Sequence, residues 1–313
     1  MDSQNYNQNK KQNFIDAVIP AHVKDQAILD HCILGIKKNV KNIRRVIVVS
    51  KEKYSDNAEW FDEKLYPFSF EEISQILNNK NVGWNYQQLL KLYSVLVIPN
   101  ISQQVLIVDA DTVFYKKVEF ITDDGFALYN LAKDRDLYRS EFQISTLNHI
   151  AEIIPQIKEK LPEIFSESAK NNSYRARDFN KKLNFLNQKD QEKSYDLESG
   201  ICHHMLFQKE VIESLFSTVE SNFENEKFYK IFLQNRQSIF GVAEYNLYFY
   251  FLISFFPNLY RIRILNYKNT AKFSPLFEKI RKKYHYCSYH SYMTPKVSNF
   301  FNIKKLVNNL FKN

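Results

Sequence analysis

Glycine is nearly missing from this chain, with only 5 in 313 residues. Phosphate-cradling loops need several glycines close together, and no such loop is present, which argues against Gly-rich nucleotide fingerprints. Cysteine is as sparse. Cys32, Cys202 and Cys287 are far apart and odd in number, so they build neither a disulfide framework nor a metal knuckle, and a reducing cytosol is expected. No secretory leader is expected either: residues 1–13 are polar and Asn/Gln-rich and read as a disordered tail. Long apolar runs are absent. The longest, Tyr245 to Phe256, is broken by Asn246 and too short to span a bilayer. The expectation is a soluble, cytoplasmic protein.

What is there is ample core material. Hydrophobic residues make up 44% of the chain, with 26 Phe and 20 Tyr, enough for one large domain or two ordinary ones. The net charge of +8 is uneven: residues 259–313 carry twelve Lys/Arg against the single acid Glu278, and the rest of the chain is slightly acidic. A basic, aromatic-rich end can meet nucleic acid, an anionic membrane surface or the phosphates of a small substrate. Residues 293–313 place apolar side chains at roughly helical spacing with lysines between, as an interfacial helix does. The same pattern suits a terminal helix docked on the core. No recognition module accompanies the charge, so nucleic acid is not expected as a partner.

The elements alternate. Ala17 to Pro20, Val46 to Val49 and Val105 to Val108 read as short buried strands, while Asp25 to Asn39, Glu71 to Leu77 and Tyr86 to Ile98 read as helices. Such alternation predicts a mostly parallel α/β sheet covered by helices. Sheets of this kind bind ligands beyond the carboxyl ends of their strands. Three strand ends then become candidates for one crevice: Pro20, Ala21 and His22; Ser50, Lys51 and Glu52; and Asp109, Ala110 and Asp111.

The third of these stands out. Val105, Leu106, Ile107 and Val108 run straight into Asp109 and Asp111, and on an extended chain residues i and i+2 project from one face. Two carboxylates so placed suit a hard divalent cation, Mg²⁺ or Mn²⁺, that also holds phosphate. The bland alternative is a strand ending in an acidic turn. Upstream, Gln87, Gln88 and Lys91 cluster by i+3 and i+4 spacing, and a lysine there could neutralise phosphate charge. The competing reading is a solvated helix face.

With these residues in view, the chain resembles the GT-A class of nucleotide-sugar glycosyltransferases, more narrowly a poorly characterised bacterial glycosyltransferase-like family that opens with a stretch such as residues 18–25. The resemblance covers roughly residues 14–130 and 195–292. It rests on four parts in order: Asp109 and Asp111 after the Gln87, Gln88, Lys91 helix; a glycine loop at Gly200; an acid opening a late helix at Glu244; and His290 near the end. It implies a GT-A (Rossmann-like) α/β domain over 14–292, with a helical acceptor-side insert at 134–195. It implies a nucleoside diphosphate sugar as donor and a glycan or glycolipid acceptor. The setting implied is surface polysaccharide or lipopolysaccharide synthesis at the inner face of the membrane. Asp109, Lys91, Gln87, Gln88, His22 and Gly200 are then the donor-binding candidates, and Asp109, Asp111 and His290 the metal candidates. The family's usual Glu-Asp pair is replaced here by Glu244 and Tyr245.

The chemistry follows from the residue types. Breaking the anomeric bond of such a donor leaves two negative phosphates, and a cation at Asp111, with Asp109 directly or through water, opposes that charge. His290 completes a mixed oxygen and nitrogen set that Mn²⁺ accepts, with His285 nearby. Glu244 opens an apolar helix with Leu247, Tyr248 and Phe251 on its face, the setting of a general base on the acceptor hydroxyl or of a contact to the donor sugar. The structural alternative is an acid favoured by the helix dipole. His203 and His204 are adjacent and are expected on opposite faces of a strand, as loop or core residues. Two rivals remain: a haloacid-dehalogenase-type phosphohydrolase with Asp109 as nucleophile, and a non-enzymatic membrane- or polyanion-binding protein acting through the basic tail.

Overall fold

In a computed structural model of the chain, which describes residues 14–131, 141–165, 181–193, 201–234, 241–271 and 281–290, the apolar runs are strands covered on both faces. Strand β1 (Ile15–Pro20) is buried at every position. It leads to α1 (Gln26–Asn39), β2 (Ile43–Ser50), β3 (Glu59–Asp62), α2 (Phe70–Ile76), α3 (Val82–Val97) and β4 (Gln104–Val108). Then come β5 (Thr112–Phe114), β6 (Ala127–Asn130), α4 (Glu141–Ile153) and β7 (His204–Gln208). The chain continues through α5 (Lys209–Ser221), α6 (Phe228–Gln234), α7 (Glu244–Phe255), β8 (Tyr260–Arg263), β9 (Tyr267–Thr270) and β10 (Tyr286–Tyr289).

The main sheet has the order β3-β2-β1-β4-β7. Its neighbours are parallel except for β4 and β7, which run antiparallel. This is the expected mostly parallel α/β sheet with helices packed on it. Strands β5, β10 and β9 make a second small sheet, and β6 pairs with β8. The sequence reading missed β3 because it is short and half-exposed, so it carries no apolar run.

At the amino end of β1, buried Asp16 takes Arg44 at 2.5 Å, Arg45 at 3.2 Å and the Ser102 amide at 2.9 Å. Burial would raise its carboxyl, but the arginines and that amide hold it below its ordinary range. This network closes the end of the sheet opposite the strand ends that carry the candidate site. Scarce glycine has a local replacement: Asn42, Asn78, Asn79, Asn81, Asn100 and Asn225 all adopt positive φ, which asparagine tolerates better than most residues. One glycine is needed for space. A Cβ on Gly35 in α1 would meet the Phe114 carbonyl oxygen at 3.0 Å and its nitrogen at 3.1 Å.

Within 134–195 the described residues include α4 and the short helical segments Ile157–Lys160, Pro162–Phe165 and Gln188–Lys193, while Phe185 bridges to Ile262 of β8. Residues 1–13, Gly200 and the tail 293–313 lie outside the described residues. The apolar run from Tyr245 is buried in α7, and no described helix is long and apolar enough to cross a membrane.

Candidate active site

The main sheet delivers its candidates where β4 ends. Beyond Val108 the chain turns, with the Thr112 amide donating to the Asp109 carbonyl at 2.9 Å, and re-enters structure as β5. The acidic pair therefore straddles a turn instead of lying on an extended strand, and the two carboxylates take different partners. Asp109 Oδ1 accepts from Lys91 Nζ at 2.5 Å and from the Tyr245 hydroxyl at 2.9 Å. Its Oδ2 lies 3.2 Å from His203 Nδ1. Asp111 Oδ2 lies 3.3 Å from His290 Nδ1. The two pairs meet through the His203 and His290 rings, whose centroids are 4.3 Å apart.

Each partner is placed by its own element. Antiparallel pairing of β10 with β5 sets Ser288 opposite Thr112, and the Tyr289 amide donates to the Asp111 carbonyl at 3.0 Å. The residue that follows, His290, thus arrives beside Asp111. On α3, Lys91 is buried and reaches both Asp109 and Glu244 Oε1, the latter at 2.6 Å. Its ammonium also sits 4.4 Å from the centre of the Tyr245 ring. Helix α7 begins at Glu244, whose amide is taken by Gln88 Oε1 at 2.9 Å. That contact satisfies one of the amides a helix start leaves open and locks α3 to α7.

The electrostatics follow from these contacts. Burial alone would raise the Asp109 carboxyl, but the Lys91 charge and the hydrogen bonds from His203 and Lys91 prevail and hold it well below the carboxylate range. Burial lowers Lys91, but Asp109 and Glu244 outweigh it, so the ammonium is held above its ordinary range.

Against the sequence-based expectations several placements differ. Lys91 is turned into two carboxylates instead of outward to a ligand. Glu244 stands in an ion pair and not against an apolar surface alone. Gln87 and Gln88 part company: Gln87 lines a cavity, while Gln88 serves the start of α7. His22, exposed at the end of β1, caps the turn after it by accepting from the Lys24 amide at 3.4 Å. His285 accepts from the Asn266 amide at 3.1 Å. His204 is a core residue as expected, 2.8 Å from Asn130, and burial pushes it down to about 3.

His203 is the residue that strand logic missed. It precedes β7 with φ 60°, so the alternation of faces does not apply to it. Tyr245 carries no local signal, because its hydroxyl meets Asp109 from 136 residues away. The doubled histidine just before an apolar strand was the available signal.

Beside these groups lies a cavity of about 790 Å³. Its walls include Pro20, Ala21 and His22 from the end of β1, Lys51 beyond β2, Tyr66 and Phe68 before α2, and Gln87 of α3. Lys91 follows Gln87 by one helical turn, and the cavity lies at the same end of the sheet as the acidic pair, although Lys91, Asp109, Asp111, Glu244 and His290 are not among its lining residues. This is the crevice beyond the carboxyl ends of the strands that open α/β sheets use for ligands.

No protein-family profile matches the chain, and no curated protein matches it. Among solved structures it is similar to the galactosyltransferase LgtC in complex with donor and acceptor sugar analogues, with 13% identity, 95% of this chain and 97% of that one covered, and a TM-score of 0.39. It is similar to mouse xyloside xylosyltransferase 1 in its apo form, with 8% identity, coverage of 90% and 99%, and a TM-score of 0.36. It is also similar to the mannosyltransferase Ktr4p of S. cerevisiae, with 9% identity, coverage of 74% and 65%, and a TM-score of 0.40. Likenesses at these scores assign no activity to this chain.

Proposed function

We propose that this protein is a glycosyltransferase that moves a sugar from a nucleoside diphosphate sugar to a hydroxyl of a glycan or glycolipid. One observation carries the proposal. Lys91, Asp109, Asp111, His203, Glu244 and His290 come from separate stretches of sequence and meet at the end of β4, beside a cavity of nucleotide size.

Asp111 and His290 fit a divalent cation, Mn²⁺ or Mg²⁺. Asp111 Oδ1 is buried with no hydrogen-bond partner among the described residues, while Oδ2 faces the imidazole. Among the described residues no three His, Cys, Asp or Glu side chains form a closed cage. Such ions are commonly held by one or two carboxylates, with substrate phosphates completing the shell. When bound, the cation supplies positive charge opposite the departing diphosphate. Asp109, fixed by Lys91, Tyr245 and His203, holds the turn that presents Asp111. Glu244 is then a positioning residue: it anchors Lys91 between two carboxylates and ties α7 to α3. Gln87 and His22 on the cavity wall are placed to contact the donor. A glycolipid acceptor would put the protein to work at the inner face of a membrane, in surface polysaccharide or lipopolysaccharide synthesis.

The phosphohydrolase alternative needs an open oxygen on Asp109 for attack on phosphorus. Both oxygens are engaged, so the geometry favours the transferase. The polyanion-binding alternative depends on residues 293–313, outside the described residues.

The test is release of nucleoside diphosphate from a panel of nucleotide sugars, with Mn²⁺ and with chelator. The proposal expects metal-dependent release from one donor, abolished by Asp111→Ala. Release that ignores both the chelator and the substitution contradicts it.

A further inference from the structure

The end of the cavity lined by the start of α3 carries polar groups that the glycosyl-transfer site does not use. Along α3, a helix rising 1.5 Å per residue places Tyr86 roughly 8 Å and Trp84 roughly 10 Å from Lys91, away from the acidic pair. A nucleotide whose phosphates met a cation on Asp111 and whose length ran along the cavity would therefore end among these side chains. Both line the cavity, with Phe68, Phe70, Glu63 and Glu71. The Tyr86 ring packs edge-on against Phe68 at 5.8 Å and Phe70 at 5.4 Å, which makes an apolar wall suited to a flat heterocycle.

Two unpartnered polar groups face that space. Tyr86 is only 6% exposed, and its hydroxyl has no hydrogen-bond partner among the described residues. Burial raises its phenol, and the charges of Glu63 and Glu71, which line the same cavity, raise it further. The Glu63 carboxylate likewise has no hydrogen-bond or ion-pair partner among the described residues. Burial raises it above its ordinary range despite the lysine charges of Lys51 and Lys64. A half-buried acceptor in an aromatic slot calls for a ligand that brings N–H donors.

We propose that Glu63, with Tyr86, reads the donor's nucleobase and selects one bearing an exocyclic amino group over uracil or thymine. Guanine offers a carboxylate two parallel N–H donors from its ring nitrogen and amino group, and cytosine and adenine offer their amino hydrogens. Uracil offers one N–H flanked by two carbonyl oxygens. A carboxylate that accepts that hydrogen sets its charge against both oxygens. Selection therefore comes from repulsion as well as attraction. The inference rests on the nucleotide-sugar reading of this same crevice.

The test is titration of GDP, CDP, ADP and UDP, with Mn²⁺, into wild type and Glu63→Gln. Glutamine keeps the shape of the side chain but adds an N–H donor that can meet a uracil oxygen. The expected result is binding of an amino-bearing diphosphate at least about tenfold tighter than UDP, with most of that margin lost in the variant, as for a hydrogen bond to a charged group. Tighter binding of UDP by wild type overturns the assignment while leaving the transferase proposal standing, as does an unchanged preference in Glu63→Gln. No binding of any diphosphate overturns both. A melting midpoint for Glu63→Gln equal to that of wild type separates loss of recognition from loss of fold.

Discussion

Taking away Lys91 would leave Glu244 buried and Asp109 half-buried, with the cation they share gone. Breaking a buried pair by removing one partner costs roughly 3–5 kcal/mol. Lys91→Met is therefore expected to lower the unfolding free energy, read from denaturant titration, by that order. In a Glu244→Gln background the same substitution should cost clearly less, because one of the two stranded charges is already absent. Equal costs in both backgrounds would show that the pairing of Lys91 with Glu244 adds no stability. His204 gives a pH prediction. Its folded value is pushed down to about 3, below the ordinary value of about 6.5, so the unfolded chain binds the proton more readily. Stability from this group is full above pH about 6.5 and drains away as pH falls towards 3. Replacing His204 by Gln should flatten that part of the stability profile, measured by urea unfolding between pH 7 and 4. A slope unchanged in the variant would assign the acid sensitivity to other groups.

Between elements, the approach of α1 to β5 rests on the missing side chain of Gly35. Alanine there should gain about 1 kcal/mol of helix propensity. Its Cβ meets backbone atoms of Phe114 instead of a yielding side chain. Phe114 is held by pairing with Tyr286 and by Asn39 Nδ2, which donates to its carbonyl at 2.8 Å. The overpacking cost, about 1–3 kcal/mol, is expected to win, and Gly35→Ala should melt lower than wild type. A higher melting point would mean that β5 shifts freely. The same contact bears on function, because β5 carries the chain out of the acidic turn. The coupling of α3 and α7 works likewise. Gln88 and Lys91 lie one turn apart on α3 and hold the first residue of α7 by its amide and its carboxylate.

At the scale of the molecule, the sheet was legible because buried parallel strands write themselves as continuous apolar runs: β1, β2 and β4 were all visible. β3 and the small sheet of β5, β9 and β10 were not, since each is three or four residues long, and β5 pairs with β10 across more than 150 residues of sequence. The acidic pair stood out by pattern, and His290 entered through the family resemblance. Who touches whom was not legible, because the turn after Asp109 and the left-handed backbone of His203 break the strand geometry on which pattern reading depends. The long-range contacts from Lys91 to Glu244 and from Asp111 to His290 need the tertiary fold. All of them serve one claim, that the end of β4 holds a cation and a nucleotide together. The direct measurement is the melting midpoint of wild type and Asp111→Ala with each nucleoside diphosphate, with and without Mn²⁺. A ligand at a hundredfold excess over its Kd stabilises by roughly 2.7 kcal/mol, which is readily read as a higher midpoint. Mn²⁺-dependent stabilisation of wild type by at least one diphosphate is expected and none in Asp111→Ala, with the unliganded midpoints alike. Equal stabilisation of both proteins, or none of either, would contradict that claim.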